Sequence, residues 1–203
     1  MLTKGERRNQ EIFDTAAHLF ATRGYARTSI RDLAEALGMQ KSSLYHYFDS
    51  KEDLLHRMLD QFMDQALERI ESLCGQDLPP LEKLAEFMRF YTHIYAGDRD
   101  RLMLLVNDLD CLTPQRRMQV VAKQRRYVAV IRDILAELKE AGLLADLPLP
   151  VLVFAFFGMV HYTPKWYRPD GPVSPEELGE VFRQVFCHGV LQNGASKPGP
   201  EGA

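Results

Sequence analysis

The stretch Ser29–Phe48 reads SIRDLAEALGMQKSSLYHYF. Apolar residues recur at helical intervals from Ile30 to Leu37, Gly38-Met39-Gln40 interrupts them, and a second short helix begins at Lys41. Two helices that cross steeply through a tight turn need three things: a glycine where φ is positive, a small residue at the crossing, and a shared apolar core. Gly38 meets the first need and Ala34 the second. Ile30, Leu33, Leu37, Met39, Leu44 and Tyr47 supply the third. The stretch reads as a helix-turn-helix.

With Leu44 as the inward anchor of the second helix, Lys41, Ser42, Ser43, Tyr45 and His46 face outward. Such a row of donors and rings suits base edges and phosphates in a major groove. Tyr45 can set its hydroxyl on a phosphate or its ring on a thymine methyl. Tyr47 can reach a phosphate beside Lys51, where the next helix also offers free backbone N–H groups.

Outward from this stretch, three-to-four spacing recurs and no β-branched run alternates with period two. Ile12, Phe13, Ala16, Ala17, Leu19 and Phe20 form one face of a helix that stops near Gly24. A long helix starts after Ser50 and ends near Gly75; another, through Leu178, Phe182 and Phe186, continues to Gly189 and Val190. Ser29, Ser50 and Ser174 each precede an acidic residue by three positions, as capping boxes do. Pro79-Pro80 opens a helix that ends by Gly97, and Thr113-Pro114 opens one that runs to about Gly142. Pro164 breaks the apolar helix containing FAFFGMV. The expected fold is all-α with about nine helices. A helix-turn-helix domain is expected over residues 1–51, a second helical body over 52–193, and a disordered tail over 194–203.

The totals agree with a soluble globular protein. The 203 residues are 46% hydrophobic and 26% charged, as in an ordinary globular protein. The net charge is −3, yet residues 1–51 hold eight Lys/Arg against six Asp/Glu, a basic head on an acidic body. Cys74, Cys111 and Cys187 are scattered, which fits a reducing cytoplasm better than a disulfide framework. The richest apolar run, VLVFAFFGMV, is too short to span a bilayer, and the first ten residues lack a signal-peptide core. A cytoplasmic location is expected.

The span from Gln10 to Leu55, which includes IFDTAAHLFATRGYARTSIRDLAEALGMQKSSLYHYFDSKEDLL, closely resembles the DNA-binding head of tetracycline-repressor-like (TetR-family) regulators. The resemblance covers about a quarter of the chain. It implies an all-helical homodimer that binds a palindromic operator and is released by a small effector. By the same resemblance, Thr28, Lys41, Ser42, Ser43, Tyr45, His46, Tyr47 and Lys51 occupy DNA-contacting positions.

The body carries less distinct signals. FMRFYTHIYAGDRDRLMLL (Phe87–Leu105) places Phe87, Phe90, Tyr91, Ile94 and Met103 near Arg99 and Arg101, with Val106 just beyond. VFAFFGMVHYTPKWYRPDG (Val153–Gly171) adds Phe157, His161, Lys165, Trp166 and Arg168. These thirteen residues are the expected effector site, although aromatic stripes at helical spacing are a core signature as well. The W-Y-R-P-x-G end resembles the branch of the family that senses coenzyme A thioesters in fatty-acid and aromatic-acid catabolism. Apolar faces could house an acyl chain while arginines, Arg116, Arg117, Arg125 and Arg126 among them, pair with phosphates. An unrelated hydrophobic drug or metabolite is the alternative effector. Phe154, Leu178, Val181, Phe182, Val185 and Phe186 are expected to form the dimer interface. A helical-bundle enzyme built on His93, Asp108, Asp110, Cys111 and His161 is the rival class. No metal-ligand, nucleophile-elbow or phosphate-loop spacing supports it, so neither catalytic residues, a metal nor a cofactor is expected.

Overall fold

The computed structural model describes residues 3–75, 77–145, 147–168 and 170–188. All described regular structure is helical. The helices are α1 (Lys4–Arg23), α2 (Ile30–Ala36), α3 (Lys41–Leu44), α4 (Lys51–Cys74), α5 (Pro80–Gly97), α6 (Arg99–Asn107), α7 (Pro114–Glu140), α8 (Leu149–His161), α9 (Thr163–Trp166) and α10 (Pro175–His188). A single 3₁₀ turn covers Leu109–Cys111. The expected tail over 194–203, and the extension of the last helix to Gly189 and Val190, lie outside the described residues.

Local chemistry accounts for most of the boundaries. Ser29 and Asp32 form a reciprocal capping box at α2, and Ser174 and Glu177 form another at α10. At α4 only half of the expected box is present: Ser50 Oγ accepts from the Asp53 amide, while the Asp53 carboxylate turns to the amide of Asp49. Gly38 has φ of 60°, and the Met39 amide donates back to the Ala34 carbonyl at 2.9 Å. That is the left-handed helix stop the turn requires. Pro164 does not simply end α8. It occupies the first turn of α9, where its missing N–H costs nothing.

The helices fall into two compact units, residues 1–76 with 98–130 and residues 77–97 with 131–203. This division differs from the boundary expected after Lys51, because α4, α6 and the start of α7 pack with the helix-turn-helix. In the first unit, Ile12, Phe13, Phe20, Leu33, Leu44 and Phe48 join Leu54, Leu55, Met58 and Leu59 in a closed apolar core. One edge of α7 is tied to α4 by ion pairs: Arg116 to Glu52 and Asp53, Lys123 to Asp60 and Asp64, and Arg126 to Glu71. In the second unit, α5 and α10 make the most extensive helix pair, and the aromatic side chains of α5 and α8 interleave.

Candidate nucleic-acid interface and effector site

α3 is a single turn of four residues, too short to persist without tertiary support. Leu44 and Phe48 anchor it in the core. With these two inward, Lys41, Ser42, Tyr45 and His46 are exposed, and Ser43 and Tyr47 are half-buried. The Lys41 ammonium lies 5.9 Å from the centroid of the Tyr45 ring. The outward row read from the sequence is therefore one continuous polar and aromatic surface.

Two residues of the expected contact set are placed differently. Thr28 is only 1% exposed, and its hydroxyl donates inward to the carbonyls of Gly24 (3.0 Å) and Leu19 (3.3 Å). It closes the α1–α2 corner and offers no hydroxyl to a duplex. Lys51 folds back across the same corner, donating to the carbonyls of Tyr25 (2.9 Å) and Thr28 (3.0 Å) with its ammonium 4.3 Å from the Tyr25 ring centroid. Both side chains staple the head in this structure: the Thr28 hydroxyl is taken by backbone carbonyls, and two of the three donors of Lys51 are as well.

A polar chain that the sequence does not announce runs from α7 into the turn after α3. Arg116 Nη2 donates to Asp53 Oδ1 at 2.6 Å, and Arg116 also pairs with Glu52. Asp53 Oδ2 accepts from the Asp49 amide (3.1 Å) and forms an ion pair with Arg57 Nε (2.9 Å). Arg57 in turn donates to the Tyr47 carbonyl at 3.0 Å. Only the pairing of Asp53 with Arg57, one helical turn apart, could be read from sequence. Arg116 stands more than sixty positions from its partners, and no local pattern marks it.

The expected effector residues are divided between the units. In the second unit, Phe87, Tyr91, Phe156 and Phe157 pack at centroid separations of 5.3–6.0 Å, and His161 lies 5.2 Å from Phe157. Phe90 is buried and Ile94 is half-buried. His161 is exposed as a residue, yet its ring lies against this aromatic bed, and desolvation there lowers the imidazole to about 4, which favours the neutral ring. Lys165 and Trp166 are exposed, and Arg168 pairs with Asp170 at 3.2 Å on the surface.

In the first unit, half-buried Arg101 is ion-paired to both Asp14 and Asp98, the setting of a structural cation. Arg99 and Val106 are exposed and Met103 is half-buried. Arg116 and Arg126 are likewise held by acidic partners on α4. Arg117 and Arg125 instead line a surface groove of about 610 Å³ with Asp110, Leu112, Pro114, Met118 and Val121. Met118, 68% exposed, projects there, and the Arg117 guanidinium meets the exposed Asp110 at 3.1 Å. Among the described residues, no three His, Cys, Asp or Glu side chains are grouped to hold a metal ion.

The dimer expectation also separates by face. Leu178 and Phe182 are buried and Phe186 is half-buried, with its ring 5.6 Å from Phe156; these three belong to the protomer's own core. They lie at four-residue steps on the inner face of α10. Val181 and Val185 lie on its outer face and are exposed, as are Val151, Phe154 and Tyr162 along α8. Phe154 is 66% exposed, an unusual position for a phenylalanine without a covering surface. Among the described residues, no helix is long and apolar enough to cross a membrane.

Comparison with known proteins accounts for both ends of the chain. Residues 12–58 match the family described as bacterial regulatory proteins, tetR family, and residues 77–190 match the tetracyclin repressor-like C-terminal domain. The crystal structure of a TetR-family transcriptional regulator from Bordetella parapertussis 12822 is 38% identical, covers 92% of this chain and 99% of its own, and superposes with a TM-score of 0.84. The HTH-type transcriptional repressor KstR2 of Mycobacterium tuberculosis (strain CDC 1551 / Oshkosh) is 26% identical over 92% of this chain and 94% of its own length. AibR, solved in complex with isovaleryl coenzyme A and operator DNA, is 29% identical over 89% of this chain and 98% of its own, with a TM-score of 0.80. Both parts of the chain, the helix-turn-helix and the helical body, thus place it in one group: the chain belongs to the TetR family of bacterial transcriptional regulators.

Proposed function

We propose that the chain acts as a homodimeric repressor that holds a palindromic operator through α3 and releases it when an acyl-coenzyme A thioester binds. The observation that carries the DNA reading is the outward row Lys41, Ser42, Tyr45 and His46 on a helix whose only buried side chain is Leu44. Exposed apolar residues on α8 and α10 support pairing of two copies, which sets two recognition helices at a fixed spacing.

The effector reading rests on similarity to a protein solved with isovaleryl coenzyme A, and on one groove of this chain that sets Leu112, Met118 and Val121 beside two arginines. The groove with Arg117 and Arg125 is suited to phosphates, because its guanidiniums are not engaged by α4. Arg99, Lys165 and Trp166 are exposed and serve as further candidate contacts. An effector releases DNA only by binding more tightly to a conformation whose recognition helices are wrongly spaced.

The test is a titration of acyl-coenzyme A thioesters of increasing chain length against the protein bound to a duplex that it has selected from a random library. The thioesters are expected to release the duplex at lower concentration than the matching free acids. Arg125→Ala is expected to raise the thioester concentration needed, with effector-free DNA affinity unchanged. Release by an unrelated hydrophobic compound, with no calorimetric binding of any thioester, would overturn the effector and leave the repressor standing.

A further inference from the structure

We propose that Arg116 is a positioning residue for DNA recognition: acting through Asp53, it fixes the turn that presents α3. The proposal rests on the reading that α3 meets DNA. α3 has four residues, so its direction is set by the segment that joins it to α4. That segment is held by two backbone contacts, the Asp49 amide on Asp53 Oδ2 at 3.1 Å and the Tyr47 carbonyl under Arg57 at 3.0 Å. Both lead to one carboxylate, because Arg57 Nε also sits on Asp53 Oδ2 at 2.9 Å.

Asp53 is 3% exposed, and a carboxylate so covered is costly to leave without partners. Its other oxygen is held by Arg116, and the same guanidinium takes Glu52. Glu52 is also bound by the Thr113 amide at 3.0 Å. The start of α7 thus grips both carboxylates in the first turn of α4, and the far side of one of them grips the end of the recognition segment. A displacement of α7 that withdrew Arg116 would loosen the Asp49 and Tyr47 contacts together. The remaining partner, Arg57, is half exposed and cannot satisfy both oxygens of Asp53.

The experiment compares wild type with Arg116→Met, which removes the charge and keeps the apolar stem. Fluorescence anisotropy on the wild-type-selected duplex, without effector, is read across a salt series. Hydrogen exchange at the Asp49 amide is measured in the absence of DNA. Arg116→Met is expected to weaken binding about tenfold or more, with the salt slope unchanged and exchange at Asp49 accelerated. Wild-type affinity in the variant overturns the proposal. A weakened affinity with the slope reduced by about one also overturns it, since Arg116 would then be a direct phosphate contact. If wild type selects no duplex, the DNA reading has failed, and unchanged exchange at Asp49 still overturns the positioning role. Should Arg116→Met fail to fold, Arg116→Lys carries the test. A lysine can reach only one of the two carboxylates, so intermediate values are expected, and a match to wild type in both readings overturns the proposal.

Discussion

The helix-turn-helix and the aromatic body use similar residues under opposite rules. In the head, the turn, the cap and the recognition row are set by neighbours in sequence: Gly38 stops α2, Ser29 caps it, and Leu44 turns the polar row of α3 outward. In the body, phenylalanines that look equivalent in sequence are separated only by which face of the helix they occupy. Phe156 is fully buried and Phe154, two residues earlier, stands in solvent. Arginines show the same contrast: Arg116 is locked to Glu52 and Asp53, while its neighbour Arg117 faces a groove. Local pattern therefore specifies a DNA-reading head, whereas the use made of a body residue depends on partners distant in sequence.

The largest expected effect would separate the two faces of α10. Val185→Glu places a carboxylate in the proposed contact between copies and is expected to cost about 3 kcal/mol or more of association, while leaving the protomer folded. Sedimentation equilibrium should show a monomer with unchanged helical content. An unchanged dimer would move the interface away from α8 and α10.

Next comes the head's staple. Lys51→Met takes the ammonium from the carbonyls of Tyr25, which keeps the Thr28 amide, and Thr28, and is expected to lower stability by about 1 kcal/mol. The salt slope of DNA binding should remain that of wild type. A slope reduced by about one, with stability intact, would return Lys51 to the phosphate contacts.

A smaller effect is expected at the α2 cap. Ser29→Ala removes the hydroxyl that accepts the Asp32 amide and should cost about 1 kcal/mol in urea unfolding. A loss well below that would show that tertiary packing, rather than the cap, sets the start of α2.

The smallest effect is a titration. The His161 imidazole, lowered to about 4, should stay neutral through the physiological range. Because its folded value lies below the ordinary histidine value of about 6.5, the unfolded chain takes up its proton first. Its contribution to stability is therefore complete above about pH 6.5 and is lost as pH falls from there toward 4. Resonances of the ring in a pH series should show a midpoint near 4; one near 6.5 would mean that the ring is hydrated rather than bedded on Phe157.

Most of the fold was legible because helix ends carry chemical marks. Gly24, Gly38, Gly75 and the Pro79-Pro80 and Thr113-Pro114 pairs stand where α1, α2, α4, α5 and α7 stop or start. The outward row of α3 was legible from Leu44 and its neighbours alone. Thr28 and Lys51 were not, since a hydroxyl or an ammonium carries no sign of whether a buried carbonyl will claim it. The inner and outer faces of α10 share one apolar composition, so Leu178, Phe182 and Phe186 could not be told from Val181 and Val185 until α5 and α8 were in place. Arg101 and Arg116 were illegible for a related reason. Their carboxylates arrive from other helices, and ion pairing across such separations leaves no periodicity in the chain.

Reading of DNA by paired α3 helices is tested most directly by a hydroxyl-radical footprint of the intact protein on the duplex it selects. Two protected patches centred about 34–36 Å apart, one for each recognition helix in successive major grooves, are predicted. Tyr45→Ala should weaken both patches equally. A single continuous patch insensitive to Tyr45→Ala, or no protection at all, would contradict the claim that paired α3 helices read the DNA.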